Sequence, residues 1–229
     1  MQFLQHLGSY AELMKSVFTK PDKSKIYSKL IFEEIDKIGL GSIGIVSIIS
    51  FFFGAVISLQ TAYSMESPLL PDYLIGLGTR DTILLEFSST VMCLILAGKV
   101  GSNIASEIGT MKVTEQIAAL DIMGVNSAAY IIFPKIIAAL VIFPILSLAS
   151  MIVGIVGGWI GVVSSELATS SQFVYGVQYS FNSYYIFYAL VKSFFFSFII
   201  TSVSSYYGYN TEGGAREVGS SSTKAVVNS

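Results

Sequence analysis

The chain has 229 residues, of which 53% are hydrophobic and only 12% are charged, whereas about 25% of residues are charged in typical soluble domains. This balance excludes an ordinary soluble domain and predicts an all-α polytopic membrane protein. The net charge of -2 lacks the basic surface that nucleic-acid binding needs. Because His6 and Cys93 are the only residues of their types, we expect neither a metal site nor an internal disulfide.

Residues 1–37 carry apolar side chains at helical spacing on both sides of Pro21, which predicts two interfacial amphipathic helices. Six lysines run from Lys15 to Lys37, and such basic faces suit the cytoplasmic surface of a membrane with anionic headgroups. A soluble N-terminal hairpin is the alternative. We expect no cleaved signal peptide, because the first long apolar run begins too late and extends too far.

Four apolar stretches are long enough to cross a hydrocarbon core of about 30 Å, which takes about 20 helical residues. We place the transmembrane helices at residues 38–63, 82–106, 131–163 and 185–207. The third is longer than the core is thick, so we expect it to tilt, to kink at Pro144 or to project from the bilayer. Two overlapping GxxxG pairs near its end predict close contact with another helix; they are formed by Gly154, Gly157, Gly158 and Gly161.

A long polar interruption separates the second span from the third. At its start small residues recur at every fourth position, which predicts a bare helix face for close packing; they are Ala97, Gly101, Ala105 and Gly109. Residues 107–124 then alternate polar side chains with the apolar Val113, Ile117, Leu120 and Met123. This pattern predicts a short amphipathic helix that Thr114 could cap and Gly124 would end. It is either an ordinary solvated connection or a docking helix for a soluble partner.

The basic residues predict the orientation of the chain. All but two of the 13 Lys and Arg residues lie in the N-terminal segment, in residues 99–135 and in the C-terminal tail, the exceptions being Arg80 and Lys192. Because basic residues accumulate on the cytoplasmic side of membrane proteins, we expect these three regions, and with them the N-terminus, in the cytoplasm.

The sequence contains no G-x-x-x-x-G-K-[ST] loop and no Ser, Cys or His placed with a base and an orienting acid. We therefore expect neither a self-contained ATPase nor an intramembrane hydrolase. The many serines are expected to form interhelical hydrogen bonds.

The stretch GKVGSNIASEIGTMKVTEQIAALDIMGV, with Gly54 and Gln60 before it and YYGYNTEGGAREVG at residues 206–219 after it, resembles the MlaE family, the permease subunits of lipid-transporting ABC systems. The resemblance implies that residues 107–124 are the cytoplasmic coupling region that contacts an ATPase subunit. The positions to which this role is carried over are Glu107, Thr110, Met111, Lys112, Thr114, Glu115, Gln116 and Asp121.

The resemblance also implies cargo and partners. The cargo would be phospholipids moved between the bacterial inner membrane and the cell envelope, with a periplasmic lipid-binding MCE-domain protein as a further partner. ATP and magnesium would bind to the partner ATPase, so this chain itself would hold no cofactor. Because ABC ATPases work in pairs and this chain has one coupling region and no internal repeat, we expect a two-fold homodimer. A non-transporting scaffold that recruits a soluble partner through residues 107–124 is the alternative function.

Members of the family continue past the segment found here at residues 213–219 into a fifth transmembrane helix. Residues 208–229 are therefore expected to be a cytoplasmic tail that leads to a helix absent from this sequence. Either the sequence is a fragment, or the helix is genuinely missing.

Glu86 and Lys192 are ionisable residues inside predicted spans. The two helices enter from the outer side near Arg80 and Tyr185, which places each residue about seven positions in. At 1.5 Å per residue both should lie roughly 10 Å deep, and a pair is possible. Separate snorkelling to the headgroups is the alternative. The resemblance implies a Glu and a Lys at these positions in the lipid cavity, although Leu85 stands where family members often have a basic residue. We therefore predict that Glu86 and Lys192 pair on the outer side of the lipid cavity and orient a lipid headgroup.

Overall fold

The computed structural model describes residues 2–19, 24–65 and 70–229. Within these ranges the regular secondary structure is entirely helical, which confirms the predicted all-α class. The helices in chain order are α1 Gln2–Val17, α2 Ser24–Ser64, α3 Tyr73–Val113, α4 Gln116–Ile122, α5 Ser127–Ser164, α6 Ser170–Gln178, α7 Tyr184–Tyr209 and α8 Ala215–Asn228.

Four of the described helices are long and apolar enough to cross a membrane, as the sequence predicts. They are Tyr27–Ser64 within α2, and the whole of α3, α5 and α7. The first three contain 38, 41 and 38 residues, so each extends well beyond the roughly 20 residues that a hydrocarbon core requires. α5 continues as a helix through Pro144 and ends at Ser164. A proline removes one intrahelical hydrogen bond, and a membrane-spanning helix tolerates this loss where neighbouring helices, Ser or Thr side chains or local changes of helix geometry satisfy the freed carbonyl group.

One predicted boundary is wrong. Residues 24–37 do not form a second interfacial helix of their own but are the first turns of α2. The physical reason is that no proline lies between Ser24 and Ser64, so nothing interrupts the backbone hydrogen bonds where the polar face gives way to the apolar span. Pro21, which separates the two predicted amphipathic helices, lies outside the described residues.

Two stretches of α3 are π-helical, Ile83–Val91 and Ala97–Gly101. The first holds Glu86, and the second begins the small-residue face. π-Helical turns are rare and are found most often at functional sites. Side-chain periodicity alone did not reveal either stretch.

The chain folds as two compact units. The first consists of Met1–Gly41, Ile95–Ile142 and Phe195–Ser229, and the second of Ser42–Leu94 and Phe143–Phe194. The first unit therefore gathers the N-terminal segment, the predicted coupling region and the C-terminal tail, which are the three regions that the basic residues assign to one side of the membrane.

In the first unit, the small residues of α3 face α7 and α8. Gly101 lies beside the Ser204 hydroxyl, and Gly109 lies beside Thr211 and Val218. Ala105 is fully buried where its backbone meets Gly208. Ala97 is also buried. A side chain larger than Ala on this face would separate the helices, so the four-residue spacing permits close packing.

In the second unit, the backbones of α2 and α5 touch. The glycine pair Gly54 and Gly154 lie in direct contact, and Gly157 lies against the carbonyl group of Phe51. Gly158 and Gly161 pack on Thr79 and Ala55, respectively. Ser50 and Ser150 join the same two helices through a buried hydroxyl–hydroxyl hydrogen bond of 2.9 Å.

Candidate functional site

The predicted coupling region is not one continuous helix. α3 continues to Val113, and α4 begins only at Gln116, because Glu115 adopts a left-handed conformation with φ 59°. Thr114 does not cap α4, since its hydroxyl donates to the Thr110 carbonyl at 2.8 Å. Gly124, with φ 77°, follows the last turn, and its N–H donates to the Asp121 carbonyl at 3.0 Å. A glycine takes up this left-handed conformation at little cost, so it ends the helix.

The surface of α4 is apolar at its end. Ile117 is 1% exposed and holds α4 on the unit, whereas Ile122 is 87% and Met123 67% exposed. The apolar residues that the sequence pattern groups together are therefore not all buried, since Ile117 packs inward and Met123 is exposed. Around these side chains lie exposed polar and small residues, and we call the whole set the α4 surface: Thr114, Glu115, Gln116, Ala118, Ala119, Asp121, Ile122 and Met123.

The end of α3 supplies the other predicted coupling residues. Thr110 is exposed, and its hydroxyl donates to the Ser106 carbonyl at 2.8 Å. Lys112 is exposed, with its ammonium 5.3 Å from the centre of the Tyr209 ring. Met111 is half-buried and lines a small cavity of about 120 Å³. Thr110 and Lys112 are therefore accessible beside the α4 surface, while Met111 faces inward.

Glu107 takes part in an internal ion cluster. Its Oε2 lies 2.6 Å from the ammonium of Lys37 and 3.0 Å from that of Lys135. Lys135 also lies 2.6 Å from Oε1 of Glu34. Sequence patterns assign Glu107 to a partner contact and do not single out Glu34, Lys37 or Lys135. The one available signal was a lysine directly after Pro134 in an otherwise apolar helix.

In the second unit the structure brings Glu86 and Lys192 together. The Lys192 ammonium lies 3.4 Å from Glu86 Oε1 and donates to the Leu85 carbonyl at 3.1 Å. It also lies 4.6 Å from the centre of the Tyr188 ring. The side chain of Lys192 is 22% exposed and that of Glu86 is 65% exposed. The cation is thus held by three groups, while the carboxylate stays open on one side.

An apolar cavity of about 530 Å³ also lies in the second unit. Leu84, Met151, Phe181 and Ile186 are among its lining residues, but Glu86 and Lys192 are not. Because positions two apart point to nearly opposite sides of a helix, Leu84 and Glu86 cannot line the same space. The ion pair is therefore not part of this cavity.

Arg80 lies at one wall of that cavity and is 2% exposed. Its Nη1 donates to the carbonyl groups of Val177 at 3.0 Å and Tyr179 at 2.7 Å, and its Nη2 lies 2.8 Å from Asp81. These carbonyls lie at the end of α6, where a helix leaves acceptors without intrahelical donors. Arg80 therefore fixes α6 on α3, a role that the sequence did not indicate.

Taken together, the four apolar spans define an integral membrane protein of the polytopic α-helical class, with a short exposed helix between the second and third spans. Residues 31–229 match the family described as Permease MlaE. The chain belongs to this family, which confirms the resemblance carried by the sequence motifs.

Curated relatives agree with this assignment. A probable ABC transporter permease protein of Rickettsia bellii (strain RML369-C) is 35% identical over 235 residues, which cover 100% of this chain and 88% of the relative. Proteins of the same description from Synechocystis sp. and from Porphyra purpurea are 33% and 32% identical, and each alignment covers 99% of this chain and 86% of the relative.

Proposed function

We propose that this protein is the transmembrane permease subunit of an ABC transporter that moves phospholipids between the inner membrane and the cell envelope. The observation that carries the proposal is the α4 surface, which exposes Ile122 and Met123 at the end of a helix anchored through the buried Ile117. Exposed apolar side chains with a polar rim are typical of protein interaction sites. The relatives are named as probable ABC transporter permeases, and such a permease works with an ATPase.

The ATPase would dock on the α4 surface and would bind ATP and magnesium itself. Glu115, Gln116 and Asp121 would supply the polar rim of the interface, together with Thr110 and Lys112 at the end of α3. Because ATPases of this class act in pairs, two copies of the chain would assemble with two-fold symmetry, each offering one α4 surface. This homodimer would lie in the inner membrane, and the basic residues of the N-terminal segment and of residues 99–135 favour a cytoplasmic N-terminus.

Glu86 and Lys192 support the lipid part of the proposal. A charge placed near the bilayer centre costs about 3 kcal/mol on insertion scales, so ionisable residues in spans usually have a partner and a function. The paired Lys192 and the half-open Glu86 carboxylate present both charges that a zwitterionic phospholipid headgroup can contact. A periplasmic MCE-domain protein would exchange lipids with this side of the permease.

The test is co-purification from native membranes, with mass spectrometry of bound proteins and lipids, followed by reconstitution in liposomes with a fluorescent phospholipid. We expect an ATPase to cross-link to cysteines placed at Lys112 or Glu115, which are exposed. A cysteine placed at Tyr175, which is 55% exposed in the second unit, is the matched control and should not cross-link. Recruitment of a partner without ATP-dependent lipid movement would instead identify a scaffold.

A further inference from the structure

The ion cluster around Lys135 consists of Glu34, Lys37, Glu107 and Lys135, and we call it the Lys135 cluster. Its buried centre is Lys135, whose side chain is 3% exposed, and Glu34 is 18% exposed. Glu107 is 30% and Lys37 46% exposed, so the cluster opens toward one side. Two carboxylates and two ammonium groups alternate, and the set carries no net charge.

The cluster joins three helices of the first unit. Glu34 and Lys37 lie three positions apart on α2 and therefore on one face of it, just before the charge-free part of that helix. Lys135 comes from α5. Glu107 lies six residues before the end of α3 at Val113, or about 9 Å along the helix axis. Glu107 is thus close in sequence to the α4 surface, and Glu34 and Lys37 belong to the first span.

Stability alone does not account for such a cluster. Replacing buried ion pairs by apolar side chains of similar volume often leaves proteins as stable or makes them more stable, whereas removing one partner is strongly destabilising. Lys135 binds both carboxylates at once, with its ammonium 2.6 Å from Glu34 and 3.0 Å from Glu107, so a shift of one carboxylate acts on the helix that carries the other. A cavity of about 120 Å³ lies beside the cluster and is lined by Glu34, Glu107, Lys135 and Tyr130, among other residues.

We propose that the Lys135 cluster transmits a displacement of α4 to α2. A partner that pulls on α4 would shift the end of α3, and with it Glu107, relative to Lys135. Lys135 and Lys37 would transmit this shift to Glu34 and to α2, because both lysines bind carboxylates across helix boundaries. Glu107, Glu34, Lys37 and Lys135 are therefore positioning residues. This proposal rests on the proposed transport function.

The experiment uses the full chain with its co-purified ATPase in liposomes and measures ATP hydrolysis and phospholipid movement separately. Glu34→Gln is compared with Glu33→Gln, a matched control on the same helix, since Glu33 is 59% exposed and lies 3.8 Å from the exposed Lys29. We expect Glu34→Gln to lower the amount of lipid moved per ATP hydrolysed at least fivefold. Glu33→Gln should leave that ratio unchanged.

A triple variant, Glu34→Gln with Glu107→Gln and Lys135→Met, guards against loss of folding, because it leaves no buried charge unpaired. It should assemble with the ATPase and hydrolyse ATP while lipid movement falls at least tenfold. Normal lipid movement per ATP in this variant, or equal effects of Glu33→Gln and Glu34→Gln, would overturn the proposal. The unaltered complex tests the transport function separately from the variants. If that complex hydrolyses ATP without moving lipid, the proposed transport function fails, whatever the variants do.

Discussion

Lys192 of α7 and Glu86 of α3 form an ion pair with 3.4 Å between Nζ and Oε1. The pair is asymmetric, because the lysine also reaches the Leu85 carbonyl and the Tyr188 ring. Among the described residues, the glutamate adds only a contact of 3.4 Å from the Thr90 hydroxyl. The lysine is thus positioned by its surroundings, and the carboxylate is the group with free acceptor capacity.

Replacing Lys192 by Ala should impair lipid movement more than it lowers expression. We expect a loss of at least fivefold in the liposome assay, because the remaining Glu86 carboxylate would lose its counter-charge inside a span. Lys192→Leu keeps the apolar bulk and should be equally impaired. Lys224→Ala, at an exposed basic residue of α8 in the first unit, serves as the control.

Charge reversal tests the pair itself. The double variant Glu86→Lys with Lys192→Glu should recover part of the activity that each single change removes, since opposite charges again face each other. Normal transport in Lys192→Leu would leave the pair with no functional role and would favour separate snorkelling to the headgroups.

Changing Ile122 to Ser should weaken binding of the ATPase at least tenfold. Burial of an aliphatic side chain of this size contributes about 1.5–3 kcal/mol, and each 1.4 kcal/mol corresponds to about a tenfold change in affinity. The measurement is a titration of the purified permease with its ATPase in detergent. Val227→Ser is the matched control, because Val227 is 78% exposed on a different helix; similar losses in both variants would contradict docking on the α4 surface.

Gly157→Ala should destabilise the protein, since a Cβ atom there would overlap the Phe51 carbonyl of the neighbouring helix. Overpacking of this kind typically costs about 1–3 kcal/mol, so we expect the free energy of unfolding to fall by about 2 kcal/mol. Unfolding in detergent and denaturant measures this free energy. Gly44→Ala is the control on α2, where nothing lies within 4 Å of the added methyl group, and it should be neutral or slightly stabilising. Equal stability of the two variants would argue against backbone contact between α2 and α5.

Arg80→Met should loosen α6. The substitution leaves the part-buried carbonyls of Val177 and Tyr179 without their donor, and a hydrogen bond to a charged group contributes about 1.5–3 kcal/mol. Hydrogen exchange should therefore accelerate at least tenfold for amides of Ser170–Gln178 and change little in α8. The exposed Arg216→Met is the control, and unchanged exchange in α6 would show that other contacts hold it.

Local sequence patterns were sufficient for the membrane class, because long apolar runs match the thickness of a hydrocarbon core and are uncommon in soluble domains. They also predicted the four spans and drew attention to Glu86 and Lys192, whose charges are unusual in such surroundings. The extent of α2 was missed, since amphipathic and apolar segments can share one helix without a break.

Other features depend on contacts between distant parts of the chain. Glu107 looks like an ordinary polar residue of the coupling region, and only the fold brings Glu34 and Lys135 to it. The left-handed Glu115 is likewise invisible to periodicity, because non-glycine residues rarely adopt that conformation. From the sequence, Arg80 looks like a cation in a loop; only the structure shows that it binds the carbonyl groups at the end of α6.

The pairing of Glu86 with Lys192 has an electrical consequence. A single elementary charge that moves across the membrane exchanges about 2.3 kcal/mol with a potential of 100 mV. Glu86 and Lys192 together carry no net charge, so a movement that displaces them as a unit does almost no work against the membrane potential. If the protein moves lipids as proposed, that movement should therefore be nearly insensitive to the voltage across the bilayer, whereas neutralising either residue alone would make the same movement voltage-dependent.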